Sequence, residues 1–284
     1  MIVLRRILAV LVLALGVGAL ALLVRVGVES VRDSGTEAQP EPAPPPPKPL
    51  RIIFPEGFTR EEMADRIAAV NEIARERRGV DPRLDPKRYL ALTARSPFAA
   101  RFAADGKTHS LDGFLFPATY QFNRRTTTQQ LVREQLKAFQ RAWSKVDLRF
   151  ARSKNLTRYD VLIIASMIEK EVIAPEERPL VAAVIYNRLR DGITLGIDAT
   201  IRYALGVPAT ESLRLSHLEH RTPYNTRIHH GLPPGPIANP GLASMQAAAH
   251  PADVDYLYFV RKPDKVHHFF TRSKQEFDEY QREN

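Results

Sequence analysis

The feature that most constrains this chain is an unbroken apolar run near its amino terminus. Residues 7–24 contain no charged or polar side chain, and this length is near the minimum for a helix that spans a bilayer core. Arg5 and Arg6 precede the run, and positive residues are retained on the cytoplasmic side. We therefore expect residues 1–28 to be a cytoplasmic stub and a transmembrane helix. The rest of the chain would lie on the periplasmic side of the inner membrane.

A cleaved signal peptide is the alternative interpretation of this run. Its apolar region is usually shorter and ends at a small-x-small cleavage site. The residues after Val24 read Arg-Val-Gly-Val-Glu-Ser and offer no such site, so an uncleaved anchor is favoured. Both interpretations place the rest of the chain outside the cytoplasm.

Residues 29–49 are predicted to be a linker. Most positions from Pro40 to Pro49 are proline, and such a segment favours extended polyproline geometry and cannot bury a core. The folded domain should therefore begin at residue 50. We divide it into an N-terminal part, residues 50–150, and a second part, residues 151–284.

Short strand patterns and helix caps predict an α+β fold, in which one domain combines helices with short strands. Thr59 and Glu62 have the spacing of a capping box. A further helix is predicted over residues 158–173, and Asn239 is predicted to be the N-cap of a short helix. Residues 256–271 are predicted to form a β-hairpin.

The composition excludes several function classes. The chain has no cysteine, which rules out disulfides, thiol nucleophiles and cysteine-based metal sites. Its eight histidines form no metal-ligand motif, so we predict no metal. The net charge of +9 favours a polyanionic partner. The basic residues lack aromatic interleaving and no nucleic-acid motif occurs, so no nucleic acid is expected. A carboxylate-bearing cell-wall polymer or anionic lipid headgroups fit the charge equally well.

One carboxyl group stands out on the most apolar segment. Residues 161–173 are apolar almost all round, so their helix should lie inside the domain. At about 100° per residue, Glu171 shares a face with Met167 and Ile168, whereas Glu169 points to another side. An apolar environment raises the pKa of a carboxyl group and suits a general acid. Taken alone, the segment favours the simpler interpretation of a solvated helix end.

Five ordered motifs change this interpretation. They are Ala165–Glu171, Val184–Leu189, Thr222–Thr226, Gly231–Gly241 and Tyr258–Val260. In this order and spacing they closely resemble the endolytic murein transglycosylase (YceG-like) family. Phe54–Gly57 and Leu111–Pro117 also look like family segments, so the resemblance covers most of the chain after the linker.

The resemblance implies a lyase that cleaves MurNAc-β-1,4-GlcNAc bonds within peptidoglycan glycan strands and leaves 1,6-anhydro-MurNAc ends, thereby terminating strand elongation. Glu171 matches the family's catalytic residue. It would protonate the leaving oxygen and then accept the proton of the sugar's own 6-hydroxyl. No cofactor is implied, and a peptidoglycan synthase is an expected partner. A mechanism that uses a single carboxylate agrees with the helix geometry, in which Glu169 points away from Glu171. Ordinary glycosidases need two carboxyl groups that flank the bond.

Five further residues are candidate substrate-binding groups. Tyr224 and Asn225 can hydrogen-bond sugar hydroxyls, and the adjacent Pro-rich loop would hold them still. Asp198, Asn187 and Glu169 are weaker candidates. Each has a structural alternative: Tyr224 and Asn225 could form a turn that packs the loop, Glu169 could pair with an arginine, and Asn187 could brace a helix.

Departures from the family pattern keep two alternatives open. Gly196 stands where a glutamine is usual and Ala199 where a proline is usual, while Ala118 and Arg227 replace an acidic and an aromatic residue. A hydrolytic muramidase, in which water attacks, is the first alternative. A non-catalytic wall-binding scaffold of the elongation or division machinery is the second.

Overall fold

Helices dominate the fold, and two short antiparallel sheets accompany them. The computed structural model describes residues 49–107 and 109–284. Along the chain the elements are β1 (Leu50–Ile53), α1 (Arg60–Arg78), α2 (Pro86–Ala94), α3 (Pro97–Ala103), β2 (Thr119–Phe122), α4 (Thr128–Trp143), α5 (Arg149–Ser153), α6 (Arg158–Glu171), a 3₁₀ turn (Pro175–Glu177), α7 (Arg178–Arg190), α8 (Asp198–Leu205), α9 (Leu215–Leu218), α10 (Leu242–Ala249), β3 (Tyr258–Arg261), β4 (His268–Thr271) and α11 (Lys274–Glu283). Within these two ranges, no helix is long and apolar enough to cross a membrane. The predicted transmembrane helix, residues 1–28, lies outside the described residues.

The predicted mixture of helices and short strands is confirmed, with corrections in detail. The capping box at the start of α1 forms, because Thr59 Oγ1 accepts from Glu62 N at 3.2 Å and Glu62 Oε2 accepts from Thr59 N at 2.7 Å. The helix predicted over residues 158–173 ends two residues early, at Glu171, where Val172 adopts an extended backbone. Glu171 is therefore the last helical residue.

The prediction that Asn239 caps the following helix is wrong. Gly241 is the N-cap of α10. Asn239 is fully buried; its side chain accepts from Leu115 N at 2.9 Å and donates to Phe58 O at 2.8 Å. Because a buried amide is stable only when its polar atoms are bonded, Asn239 ties the Pro-rich loop to the N-terminal half of the domain.

Helix α6 is the centre of the core. Nine of its residues are buried, and they are Tyr159, Val161, Leu162, Ile163, Ile164, Ala165, Ser166, Met167 and Ile168. Helices α10, α7, α8 and α3 all pack against it. Burial of each large aliphatic side chain contributes about 1.5–3 kcal/mol. The charged residues of α6 are consequently confined to its two ends.

The Pro-rich loop, residues 231–241, lies along α6. Ile237 N donates to the buried hydroxyl of Ser166 at 3.0 Å. One turn further along the helix, Gly241 N donates to Glu169 Oε2 at 2.9 Å. The loop therefore covers one flank of α6, and two of its own backbone N–H groups find acceptors on that helix.

The hairpin of β3 and β4 is fixed by a buried hydrogen-bonded contact between a histidine and a glutamate. His268 lies opposite Arg261 in the antiparallel register. Glu177, in the 3₁₀ turn, accepts from His268 N at 2.8 Å and contacts His268 Nδ1 at 2.6 Å. Both side chains are almost fully buried, so this end of the hairpin is held beside the segment that follows α6.

Helices α5 and α8 were not predicted. They contain five and eight residues, and the N-cap residue of neither helix makes a side-chain capping hydrogen bond. Fewer than three turns without a cap give too little periodicity for a sequence-based prediction. Tertiary contacts determine both helices, and α8 matters most because it meets the end of α6.

Gly113→Ala is expected to lower the free energy of unfolding by about 2–5 kcal/mol. Gly113 has a φ of +87°, and an added Cβ would lie 2.7 Å from Pro236 Cγ, so backbone strain and overpacking combine. Gly79→Ala is the control, because Gly79 has a φ of +58° and open space around it; it should lose only about 1–2 kcal/mol. Urea denaturation measures both, and equal losses would refute close docking of the loop.

Candidate active site

Glu171 ends α6 with a partly exposed side chain. Loss of hydration raises the pKa of its carboxyl group above the ordinary value, and the nearby charge of Asp198 raises this pKa further. Arg261, the backbone N–H of Ala199 and Arg202 act in the opposite direction. The net shift is upward, which favours the protonated form that a general acid requires.

The segment that carries Asp198 is held in place by hydrogen bonds to Thr226. Ile197 N donates to Thr226 Oγ1 at 2.9 Å, and Gly196 N donates to Thr226 O at 2.8 Å. The hydroxyl of Thr200 lies 3.1 Å from the same threonine hydroxyl. Because Thr226 is almost fully buried, these bonds hold the first turn of α8 beside the end of α6.

Asp198 forms an ion pair with Arg227. Arg227 Nε donates to Asp198 Oδ1 at 2.7 Å, and the two side chains are 42% and 43% exposed. An ion pair this exposed contributes little to stability, but it fixes the position of the carboxylate. Of the five predicted substrate-binding residues, Asp198 is the one that the structure places beside Glu171.

Arg261 approaches Glu171 from the hairpin. Its Nη2 donates to Glu171 O at 3.2 Å, where α6 has unpaired carbonyl groups and the negative end of its dipole. The register of β3 and β4 sets Arg261 opposite His268, which Glu177 anchors. The hairpin therefore delivers a positive charge to the end of α6.

Glu169 faces away from Glu171, as the helix geometry predicted. Its Oε2 accepts from Gly241 N. A Cβ added to Gly241 would collide with the carboxyl group of Glu56, so Glu56 packs against the same glycine. Partial burial and the charge of Glu169 raise the pKa of Glu56, and Arg178 opposes this shift. Glu169 thus belongs to a separate acidic contact with the Pro-rich loop.

Asn225 braces a turn. It is fully buried; its Nδ2 donates to Leu218 O at 2.8 Å and to His220 O at 2.9 Å, while Oδ1 accepts from Arg227 N at 3.0 Å. Both amide hydrogens are used by backbone carbonyl groups. The geometry therefore favours the structural alternative over direct contact with a sugar.

Tyr224 is partly buried in an aromatic cluster. Its ring centroid lies 5.1 Å from that of Tyr203, whose hydroxyl donates to the buried carboxylate of Asp112 at 2.9 Å. The Tyr224 hydroxyl lies close to Gly235 of the Pro-rich loop. Burial raises the pKa of Tyr224 to about 12. None of these contacts involves Glu171, so Tyr224 supports the loop that flanks α6.

Asn187 lies near the C-terminal end of α7, beside the start of α6. Its Nδ2 donates to Val254 O and to Tyr256 O, both at 2.9 Å. It lines a cavity of about 1400 Å³ that also includes Asp160, near the start of α6. At a rise of 1.5 Å per residue, this end of α6 is roughly 17 Å from Glu171. Asn187 therefore does not share a site with Glu171.

The sequence did not single out three arginines that surround the site. Arg188 donates through Nε to Leu257 O at 2.5 Å and through Nη1 to Leu195 O at 2.7 Å, so it joins α7 to the segment before α8 and to the hairpin. One signal for Arg188 was present in the sequence, because this residue lies within the Val184–Leu189 motif. Arg202 and Arg261 carry no comparable signal in the sequence.

The groups around Glu171 supply proton transfer and hydrogen bonding. Glu171 can give or take a proton, and Arg227 and Arg261 can bind an anion or a sugar oxygen. Nowhere in the two described ranges do three or more histidine, aspartate or glutamate side chains come together as a metal site. The arrangement is suited to acid catalysis on a leaving oxygen.

These structural features belong to a recognised family of proteins. The YceG-like family model matches residues 36–283, and the chain is a member of this family. A crystal structure of a yceG-like protein from Listeria monocytogenes has a similar fold, with a TM-score of 0.67 and 31% sequence identity over 82% of this chain and 76% of that one.

Curated relatives carry the name endolytic murein transglycosylase. The protein from Bacillus subtilis (strain 168) is 39% identical over 155 residues, which are 54% of this chain and 42% of the relative. The protein from Streptococcus pneumoniae serotype 2 is 29% identical over 245 residues, which are 80% of this chain and 43% of the relative. The chain thus matches less than half the length of each relative.

Asp198→Asn is expected to lower the pKa of Glu171. The aspartate charge raises this pKa, so its removal stabilises the ionised form and shifts the titration to lower pH. Side-chain carboxyl ¹³C NMR titration measures the change. Asp191→Asn is the matched control, because Asp191 is also paired with an arginine but lies at the end of α7. An unchanged or higher Glu171 pKa would contradict the assignment.

Proposed function

We propose that this protein is an endolytic peptidoglycan lytic transglycosylase with Glu171 as its catalytic acid. The observation that carries the proposal is the place of Glu171 at the end of a buried helix, where Arg261 contacts its backbone and loss of hydration raises its pKa, in a chain whose curated relatives are named endolytic murein transglycosylase. The substrate would be a glycan strand, cut within its length at a MurNAc-β-1,4-GlcNAc bond.

In this reaction Glu171 acts twice. Its carboxyl proton passes to the glycosidic oxygen as the bond to C1 breaks, and the GlcNAc residue leaves with a free hydroxyl. The 6-hydroxyl of the same MurNAc then closes on C1, and its proton passes to the Glu171 carboxylate. The acid is regenerated, no water is consumed and no cofactor takes part. A raised pKa suits both steps, since the group must be protonated at first and basic afterwards.

A hydrolytic muramidase is the second candidate, and the position of Asp198 favours it. Hydrolysis needs a second carboxyl group that activates water or attacks C1, and Asp198 is near enough to affect the pKa of Glu171. Its carboxylate is paired with Arg227, which reduces its strength as a base or nucleophile. The lyase therefore remains the first choice.

The apolar run of residues 7–24 supports a further part of the proposal. It would anchor the chain in the inner membrane with the catalytic domain on the periplasmic side, next to nascent strands and a peptidoglycan synthase. A variant that lacks residues 1–28 should move from the membrane fraction to the soluble fraction. Retention in the membrane fraction would contradict the anchor.

Glu171→Gln is expected to lower cleavage of purified glycan strands by about 10²–10⁴-fold, the usual contribution of a general acid. Mass spectrometry of the products decides the reaction: 1,6-anhydro-MurNAc ends support the lyase, and reducing ends the muramidase. Glu169→Gln is the matched control on the same helix end. Its oxygen can still accept from Gly241 N, so less than about tenfold should be lost. Absence of cleavage by the wild-type chain would favour a scaffold.

Glu171→Gln is also expected to raise the Tm at pH 7. Because the pKa of Glu171 is raised in the folded state, its contribution to stability is fully present below the ordinary value of 4.5 and is lost as pH rises. Glutamine avoids this loss. Thermal unfolding at pH 4 and pH 7 should give a gain at pH 7 only. A lower Tm at pH 7 would contradict the raised pKa of Glu171.

A further inference from the structure

The surroundings of Glu171 contain more arginines than carboxylates. Four arginines lie around Glu171 and Asp198, and they are Arg188, Arg202, Arg227 and Arg261. In the part of the chain that the structure describes, only Arg227 forms an ion pair within this set. Arg188 and Arg202 direct donors to backbone carbonyl groups instead. The site therefore carries a surplus of positive charge.

Two of these guanidinium groups are open to a ligand. Arg261 is exposed, and its recorded hydrogen bond uses Nη2 only, towards Glu171 O. Arg227 is 42% exposed and holds Asp198 through Nε. A guanidinium group has five N–H donors, so each arginine keeps donors for a planar anion such as a carboxylate.

The arrangement of charges gives the ligand a definite place. Arg261 contacts the backbone of Glu171, the charge of Asp198 acts on Glu171, and Arg227 contacts Asp198. The two open arginines thus flank the acid from the hairpin and from the segment after Thr226. An anion bound between them would lie next to the bond that Glu171 protonates.

We propose that Arg261 and Arg227 form an anion subsite for a carboxylate carried by the glycan strand beside the scissile bond. This inference rests on the proposed function and names the substrate feature that the enzyme requires. Two sources have this chemistry: the carboxylates of an attached peptide stem and the lactyl carboxylate of a strand without stems. A bound carboxylate would also offset the positive charge of Arg261, which otherwise favours the ionised form of Glu171.

The experiment compares three substrates: strands with peptide stems, the same strands with all carboxylates converted to carboxamides, and strands freed of stems by an amidase. The wild-type chain should lose about tenfold in kcat/KM on the carboxamide strands, since one charge-assisted contact is removed. Arg261→Gln should lose about tenfold on the stem-bearing strands, mostly in KM, and should no longer distinguish them from the carboxamide strands. Arg261→Lys should restore part of the loss.

The stem-free strands identify the source of the carboxylate. A tenfold effect of Arg261→Gln on stem-bearing strands alone assigns the ligand to the stem. A tenfold effect on stem-free strands alone, with stem-bearing and carboxamide strands cleaved equally by the wild-type chain, assigns it to the lactyl group, whose carboxyl is an amide wherever a stem is attached. Arg272→Gln is the matched control, because Arg272 is exposed, paired with Asp255 and located beyond the other end of the hairpin. It should leave all three rates unchanged.

Strand binding to the Glu171→Gln variant separates the subsite from the reaction. This variant should bind stem-bearing strands about tenfold more tightly than carboxamide strands, and adding Arg261→Gln should remove the difference. If binding discriminates but the wild-type chain cleaves nothing, the subsite stands and the proposed function fails. If the wild-type chain cleaves all three substrates equally, or Arg261→Gln weakens cleavage of all three equally, the subsite is refuted and Arg261 only supports the end of α6.

Discussion

The burial of α6 on all sides is the constraint on which the site depends. With apolar residues from Val161 to Ile168 packed against neighbouring helices, the helix cannot rotate or slide without exposing part of the core. The position of Glu171 is therefore set by the packing of the preceding turns. The Pro-rich loop adds to this constraint, because its bonds to Ser166 and Glu169 fix it along the same helix.

Opposing charges then set the chemistry of Glu171. Loss of hydration and Asp198 raise its pKa, while Arg261, Arg202 and an α8 amide lower it. A carboxyl group whose pKa is too high gives up its proton reluctantly in the first step. One whose pKa is too low is already ionised before that step and is a weak proton acceptor in the second. Groups of both signs on α8 and the hairpin hold it between these limits.

The sequence predicted much of the local structure and the acid itself, because capping boxes, proline breaks and the apolar run of α6 are local signals. It did not predict α8, which is short and depends on contacts with Thr226 that are distant in sequence. The same distance explains why Asp198 was only a weak candidate. Arg261 gave no signal at all, since nothing in β3 distinguishes it from other surface arginines until the hairpin register is known.

The polar residues of the motifs divide according to whether their hydrogen-bonding groups are already used. Asn187, Asn225 and Asn239 donate their amide hydrogens to backbone carbonyl groups, so replacing any of them by an apolar residue would remove hydrogen bonds that hold the neighbouring backbone. Arg227 and Arg261 each have N–H donors that are not used in the protein hydrogen bonds described above, and both lie at the surface of the site. The asparagines, whose hydrogen-bonding groups are used, maintain the shape of the cleft. The two arginines can replace their hydrogen bonds to water by hydrogen bonds to substrate. The distinction rests on three-dimensional bonding, which residue identity alone does not reveal.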